Sequence, residues 1–275
     1  GKWYDPYNQN ILKGDLPIFG SQAHPWFLEL TAISDTVTEF RNLPLPVGGS
    51  STNHPGSTDT FGNGRQFVAV QNLIFSFSLY NGNTTFKPQE FEFRATPVIS
   101  YNYVDGYEDG ILRIDPSYGD SRDDNFVGFN ELFAELHLAN ISERYDFVSS
   151  RFGIQKFVSD FRGFIYNDEA PGARFFGNYD NNKWQYNLAW FSRLDKDTNS
   201  GINTFDSRHE DVLVANLYRQ DALALGHTLQ ANVIHRNDVA GEHGDDYDNN
   251  GFLVRPAPFG DEKPKNVYTT YVGLT

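Results

Sequence analysis

The sequence predicts an all-β fold, an antiparallel transmembrane β-barrel, and three observations predict it. The first is a two-residue period. In QNLIFSFSLYNG, Gln71 to Gly82, the residues Leu73, Phe75, Phe77 and Leu79 interleave with Ile74, Ser76, Ser78 and Tyr80, which is the pattern of a strand whose two faces meet different surroundings. The second is length: several such segments exceed ten residues, where strands of globular proteins cluster at about 5–6. The third is the character of the connections. YNGNTTFKPQ and NISERYD are short and polar, whereas VDGYEDGILRIDPSYGDSRDDN and RNDVAGEHGDDYDNNGFLVRPAPFGDEKPKN are long, acidic and rich in Gly. Short turns at one rim and long loops at the other are the mark of a membrane barrel.

The elements follow in order. Residues 1–65 form a loop-rich segment dense in Pro, Gly, Asn and Ser, with one short strand pair expected, WFLELTAI followed by TVTEF. Residues 66–275 hold the barrel strands. The periodicity predicts them at Phe67–Tyr80, Gln89–Val104, Phe126–Leu138, Asp146–Phe157, Trp184–Arg193, Val212–Gln220, His227–Arg236 and Val267–Leu274. Weaker signals lie at Phe161–Tyr166 and Ala173–Asn178. No segment has a helical period, and no fixed-length repeat is present.

Each long strand has one apolar side. Phe91, Phe93, Ala95, Pro97, Ile99, Tyr101 and Tyr103 oppose Glu90, Glu92, Arg94, Thr96, Val98, Ser100 and Asn102. Trp184, Tyr186, Leu188 and Trp190 oppose Gln185, Asn187, Ala189 and Phe191, and Leu229, Ala231 and Val233 oppose Gln230, Asn232, Ile234 and Arg236. Rings near the strand ends with aliphatics between them suit a lipid band about 25 Å tall between aromatic girdles. The alternative is a secreted soluble β-sandwich with its apolar face inward, binding carbohydrate or a surface through Trp26, Trp184 and Trp190.

Composition narrows the function. Aromatic residues make up 16% of a chain only 39% hydrophobic, so large rings are placed at chosen positions on a polar background. A formal charge of −14 without Lys or Arg clusters argues against nucleic acid. The absence of Cys excludes thiolate metal sites and Cys nucleophiles. No apolar run approaches the ~20 residues of a membrane-spanning helix, which says nothing against a barrel. The chain starts at Gly1 and lacks Met altogether, so a processed product with its targeting segment removed is expected.

Catalytic signatures are missing: there is no G-x-S-x-G, no phosphate-binding loop and no H-E-x-x-H. Glu131 and Glu135 share a strand face, but four residues at ~3.3 Å rise put them near 13 Å apart, beyond the ~5–9.5 Å carboxyl separation of glycosidases. An enzyme is not expected. Two acidic loops resemble calcium loops, in which alternating oxygen ligands wrap a hard cation. Asp246, Asp248 and Asn250 precede Gly251, with Ala257 where a bidentate Glu belongs; Asp195, Asp197 and Asn199 form the second set. Ca²⁺ is the cofactor such loops would hold, and ordinary Asx turns are the plainer reading. Within the strands, Glu92, Arg94, Glu135 and Arg151 are the expected lumen charges, with the arginines opposing the glutamates to set a field across the pore.

Two stretches, WYDPYNQNILKGDLPIFG (Trp3 to Gly20) and YDFVSSRFGIQKFVSDFRGFIYNDEAPGARFFGNYDNNKWQYNLAWF (Tyr145 to Phe191), resemble porin-like outer-membrane β-barrel proteins of Gram-negative bacteria, an uncharacterised large-barrel family. The likeness runs along the chain at family level and includes no catalytic signature. It implies an outer-membrane barrel that passes small solutes or ions, or houses a partner, with lipid and a homo-oligomeric or accessory subunit as its company. It names no solute. Such barrels commonly end on a strand with a terminal aromatic residue, whereas this chain stops at TTYVGLT. The chain is therefore expected to be the N-terminal part of a larger barrel.

Overall fold

A computed structural model describes residues 5, 7–45, 62–82, 87–109, 111–113, 115–144, 146–160, 163–239, 246–247, 251, 253–255 and 266–275. Among them the chain is all-β. Strands β1 (Phe19–Gly20), β2 (Pro25–Asn42), β3 (Arg65–Asn81), β4 (Phe91–Gly106), β5 (Ser121–Asn140), β6 (Phe147–Val158), β7 (Asn167–Tyr179), β8 (Trp184–Lys196), β9 (Asn203–Arg219), β10 (Leu229–Asp238), β11 (Asp246–Tyr247), β12 (Leu253–Arg255) and β13 (Val267–Leu274) are joined by one described 3₁₀ turn at Pro116–Tyr118. Eleven of these strands form a single sheet in the order β1 to β10, then β13; β11 and β12 pair only with each other. Every described pairing is antiparallel between neighbours in the sheet. The sheet is open: among the described residues no ladder joins β13 to β1 or β2.

The up-and-down order sends alternate connections to opposite rims. Residues 43–64, 107–120, 159–166, 197–202 and 239–266 connect strands at one rim, and 21–24, 82–90, 141–146, 180–183 and 220–228 at the other. The two long acidic loops thus share a rim. Four-residue economy at 180–183 comes from Asp180, Asn181 and Asn182, all with φ between 56° and 61°, the left-handed region that Asn and Asp tolerate best among residues with a Cβ.

Several expectations shift. The anticipated short pair WFLELTAI/TVTEF is one continuous strand, β2, registered residue by residue on β3 from Trp26↔Asn81 to Asn42↔Arg65. Ser34–Asp35 reads as a turn, but the β3 partner holds both residues extended. Phe161–Tyr166 contains no described strand; residues 161 and 162 lie outside the described residues, and 163–166 belong to a connection. The weak Ala173–Asn178 signal is the centre of the longer β7. Pro171 disguised its start, since Pro lacks the N–H a ladder needs. The β7–β8 register begins only at Gly172↔Phe191, so Pro171 pairs on its β6 side alone. Pro97 in β4 likewise sits at a register shift, next to Thr96.

The interleaved faces segregate as the periods require, but in the reverse of a soluble core. On β4, Glu92, Thr96, Val98, Ser100 and Asn102 are buried, while Phe93, Ile99 and Tyr101 are exposed. On β10, Gln230, Asn232 and Ile234 are buried and Leu229 and Val233 exposed. The buried side is concave, because the sheet curls until the β8–β9 turn meets β5: Asn203 Nδ2 donates to the Phe129 carbonyl at 3.2 Å and Asn199 Nδ2 to Asp124 Oδ2 at 2.7 Å. Gly128 makes room for this. A Cβ there would stand 2.6 Å from Ile202 Cγ2 and 2.7 Å from the Asn203 carbonyl oxygen. The only described buried apolar cluster is also on the concave side, where Phe157, Tyr166, Phe191, Val212, Val214 and Ile234 pack.

Candidate functional site

The concave face is the candidate site, and its charges are arranged strand by strand. Residues two apart share a face, so β4 contributes Glu92 and Arg94, β5 Glu131 and Glu135, β6 Arg151, β7 Asp168 and Arg174, β8 Arg193, β9 Arg208 and Glu210, and β10 Arg236; Lys196 joins them out of step, past the register shifts at the end of β8. Arg94 Nη2 lies 2.6 Å from Glu92 Oε1 and its Nη1 3.7 Å from Glu131. Arg151 pairs with Glu135, Nε to Oε2 at 2.8 Å, beneath the Phe133 ring. All four expected lumen charges are therefore on the inward face. They do not oppose one another across a space, however: each arginine lies beside its acid on the same wall, because the β4–β5 and β5–β6 registers place Glu92 opposite Glu135 and Glu135 opposite Arg151.

A second cluster was not legible in the sequence. Glu210 is 1% exposed and accepts from Arg193 Nη1 at 2.8 Å, Arg208 Nε at 3.0 Å and Arg236 Nε at 2.6 Å. Asp168 takes Arg193 Nε at 2.7 Å and Lys196 Nζ at 2.9 Å. The Asp168 pairs cross the region where β7 and β8 have no described backbone ladder beyond Gly172, so side chains bridge what the main chain leaves open. Alternation along β8 and β9 could have placed Arg193 and Glu210 inward, but only register brings them together.

Two connections fold onto the concave face. The Ser159 carbonyl, fully buried, accepts from Asn216 Nδ2 at 2.6 Å and Gln230 Nε2 at 3.0 Å, on β9 and β10. Tyr166 stacks on Phe191 at 5.5 Å between ring centroids. The β8–β9 turn is the other, with Ile202 buried against Gly128. These inward segments narrow the interior that the curled sheet encloses.

Of the two calcium sets, only Asp195, Asp197 and Asn199 lie wholly within the described residues, and their side chains have other partners. Asp197 Oδ2 accepts from the Ser200 N–H at 2.7 Å and its hydroxyl at 2.6 Å, an Asx turn, and Asn199 is tied to Arg122 and Asp124. Asp195 is on β8, and the Thr204 hydroxyl donates to its main-chain carbonyl. Asp246 begins the short strand β11, while Asp248 and Asn250 lie outside the described residues. Among the described residues no three acidic or His side chains converge as a metal site.

At the short-turn rim, Asp146 joins two neighbouring turns. Its carboxylate accepts from the Ser142 hydroxyl at 2.8 Å and from the N–H groups of Asn181 and Asn182 at 3.2 Å each. Burial works to raise its pKa, but the Asn181 N–H, the Ser142 hydroxyl, the Asn182 N–H and the nearby Arg144 charge outweigh burial and hold it below the ordinary carboxylate range.

The convex face is the opposite in kind. Leu73, Ile99 and Val127 form one registered row across β3, β4 and β5 and are 37%, 43% and 60% exposed. Phe175, Leu188, Trp190, Leu213 and Val233 extend the apolar surface over β7 to β10. Rings gather toward the rims, with Phe40 on Phe67 at 4.7 Å at the long-loop rim and Phe19 on Trp26 at 5.4 Å at the other. Comparisons of the chain with protein families, characterised proteins and solved structures found no match.

Proposed function

We propose that the chain forms the wall of an outer-membrane β-barrel of the porin-like kind, its convex face in lipid and its concave face lining a polar passage for small solutes or ions or housing a partner. One observation carries this reading: large hydrophobic residues predominate on the uncovered face from β3 to β10, with Gln71 and His235 among the polar exceptions, while carboxylates, guanidinium groups and amides are gathered on the buried one. Water would penalise the first arrangement and an oily core the second. A bilayer around a wet interior accommodates both. From Phe67 to Leu79 the outward side of β3 rises about 40 Å at ~3.3 Å per residue, or about 28 Å along the membrane normal at a 45° tilt, close to the ~25 Å band of known barrels.

An open sheet presents unpaired edges, which hydrocarbon does not tolerate. On this reading β2 and β13 are paired in the membrane, either with each other or with additional strands. The inner wall carries arginines on β4, β6, β8, β9 and β10 paired with carboxylates on the same wall, so fixed charges of both signs would line the passage and shape which solutes it admits.

Reconstitution tests the proposal. The chain should need detergent to remain dispersed, enter liposomes on dilution, and give discrete conductance steps in a planar bilayer. Insertion with no conductance would select the scaffold role. A monodisperse protein in plain buffer that ignores liposomes would refute both and leave the soluble binding alternative.

A further inference from the structure

We infer that an apolar recess in the convex face, over β7 to β10, is a site for one kind of lipid: it takes the acyl chain of an uncharged amphiphile whose headgroup carries hydroxyls. The inference rests on the membrane reading above and goes beyond it, because a bilayer that merely surrounds the wall needs neither a recess nor a preference among lipids. The recess has a volume of about 430 Å³, within the ~300–1,000 Å³ range of small-molecule sites.

Register explains the hollow. On the outward side Leu188 stands opposite Ala215, and Ala215 opposite Val233. In the next row Ala173 stands opposite Trp190, Trp190 opposite Leu213, and Leu213 opposite His235. Ala173 and Ala215 are methyl groups set among larger neighbours, and both line the recess. The Phe175, Leu188, Trp190, Leu213 and Val233 side chains around them are half-exposed. A hydrocarbon chain lying over the two methyls gains dispersion contacts from below and from both sides, which a flat wall does not offer. The recess lies inside the apolar surface that runs from β3 to β10, so on the membrane reading the occupant at hand is hydrocarbon.

The two ends of the recess differ, and the difference orients the chain. Toward the short-turn rim the next outward row, Tyr186, Leu217 and Ala231, continues the apolar surface. Arg219, packed over the Trp184 ring, comes only in the row after that. Toward the long-loop rim the recess ends on His235, whose Nδ1 lies 2.9 Å from the Thr270 hydroxyl. One row farther, about 7 Å along the strands, alternation places Ser192, Asp211 and Asn237 outward. The tail therefore points toward Leu217, and the head lies among an imidazole, two hydroxyls, an amide and a carboxylate. Those groups both donate to and accept from hydroxyls. That row offers no Lys or Arg to hold a phosphate, and Asp211 repels one.

The full chain is reconstituted in liposomes with Trp190 as its one indole (Trp3→Phe, Trp26→Phe and Trp184→Phe). A monoacylglycerol with a dibrominated chain is titrated against the lysophosphatidylglycerol of the same chain, and bromine quenches the ring it touches. Half-quenching of Trp190 should need about tenfold less of the monoacylglycerol, a difference of ~1.4 kcal/mol. Ala215→Phe, which fills the recess, should abolish that preference; Ala173→Leu should do the same and stands in if Ala215→Phe does not fold. A variant keeping Trp184 alone, outside the recess, should show no preference. Flotation separates the two readings: a chain that does not float with the liposomes ends the membrane reading and this inference with it. A floating chain overturns the lipid site alone if Trp190 is quenched equally by both lipids or keeps its preference in the filled variants. Shielding of Trp190 from both lipids, with cross-linking to a second copy, would also overturn it.

Discussion

A cation placed in the row formed by Leu73, Ile99 and Val127 tests what covers the convex face. Leu73 is registered on Ser34 of β2 and Ile99 of β4, near the middle of the outward side of β3. If hydrocarbon surrounds that row, Leu73→Arg places a guanidinium near the midplane of the bilayer, where the cost is about 2–4 kcal/mol, and the same change near the interface costs only about 0–1 kcal/mol. Phe67 supplies the interfacial control, since it lies on the same side of β3 toward the long-loop rim and packs against Phe40. If water covers the face, both sites are ordinary surface positions where substitutions change stability by about ±0.5 kcal/mol. The assay is reversible denaturant unfolding from lipid vesicles, followed by Trp fluorescence, for wild type, Leu73→Arg, Leu73→Ala and Phe67→Arg. Leu73→Ala isolates the loss of the side chain. Beyond that control, Leu73→Arg should lower the folding equilibrium constant by about 30- to 800-fold, since ~1.4 kcal/mol is a factor of ten, and Phe67→Arg much less. Equal small effects at the two depths would refute the lipid assignment.

The remaining predictions concern the concave face and the rims. Glu210→Gln leaves Arg193, Arg208 and Arg236 around a neutral amide, and breaking a buried pair in this way should cost about 3–5 kcal/mol in the same unfolding assay; adding Arg236→Met, which removes a cation without taking one from Asp168, should recover part of it. Arg94→Ala frees Glu92 and Glu131, so the zero-current potential of a conducting barrel should move toward cation selectivity. Because the pKa of Asp146 is lowered in the fold, its link between the two turns is at full strength above the unfolded carboxylate value of about 3.9 and is lost as pH falls through the lowered value; Asp146→Ala should lower the hydrogen-exchange protection factors of Asn181 and Asn182 at neutral pH and remove their dependence on acid. Gly128→Val collides with Ile202 and the Asn203 carbonyl and should displace the β8–β9 turn, seen as proteolytic cleavage within 197–202 that wild type resists.

Much of the architecture was legible because side-chain alternation is a local property. Hydrophobic period and strand length were enough to locate most long strands within a few residues and to sort Glu92, Arg94, Glu135 and Arg151 onto the polar side. Local signals failed where a neighbouring strand decides the outcome. Ser34 and Asp35 look like a turn but are held extended by Asn72 and Leu73 across the ladder. Pro171 looks like a break but is tolerated where β7 has no partner on one edge among the described residues. The spacing of Asp195, Asp197 and Asn199 says nothing of their partners, which the fold supplies: Asp197 accepts from Ser200, and Asn199 reaches to β5.

The sequence by itself determined that the chain is built of long antiparallel strands with one greasy and one polar side, because a period of two follows from backbone geometry at each residue. Only the tertiary structure decided which side is covered. It also decided that Glu210 collects three arginines, that Arg174 collects no acid among the described residues, and that Ser159 reaches β9 and β10. Those outcomes depend on register and on the curl of the sheet, which sum small twists over many strands and bring together residues far apart in the chain.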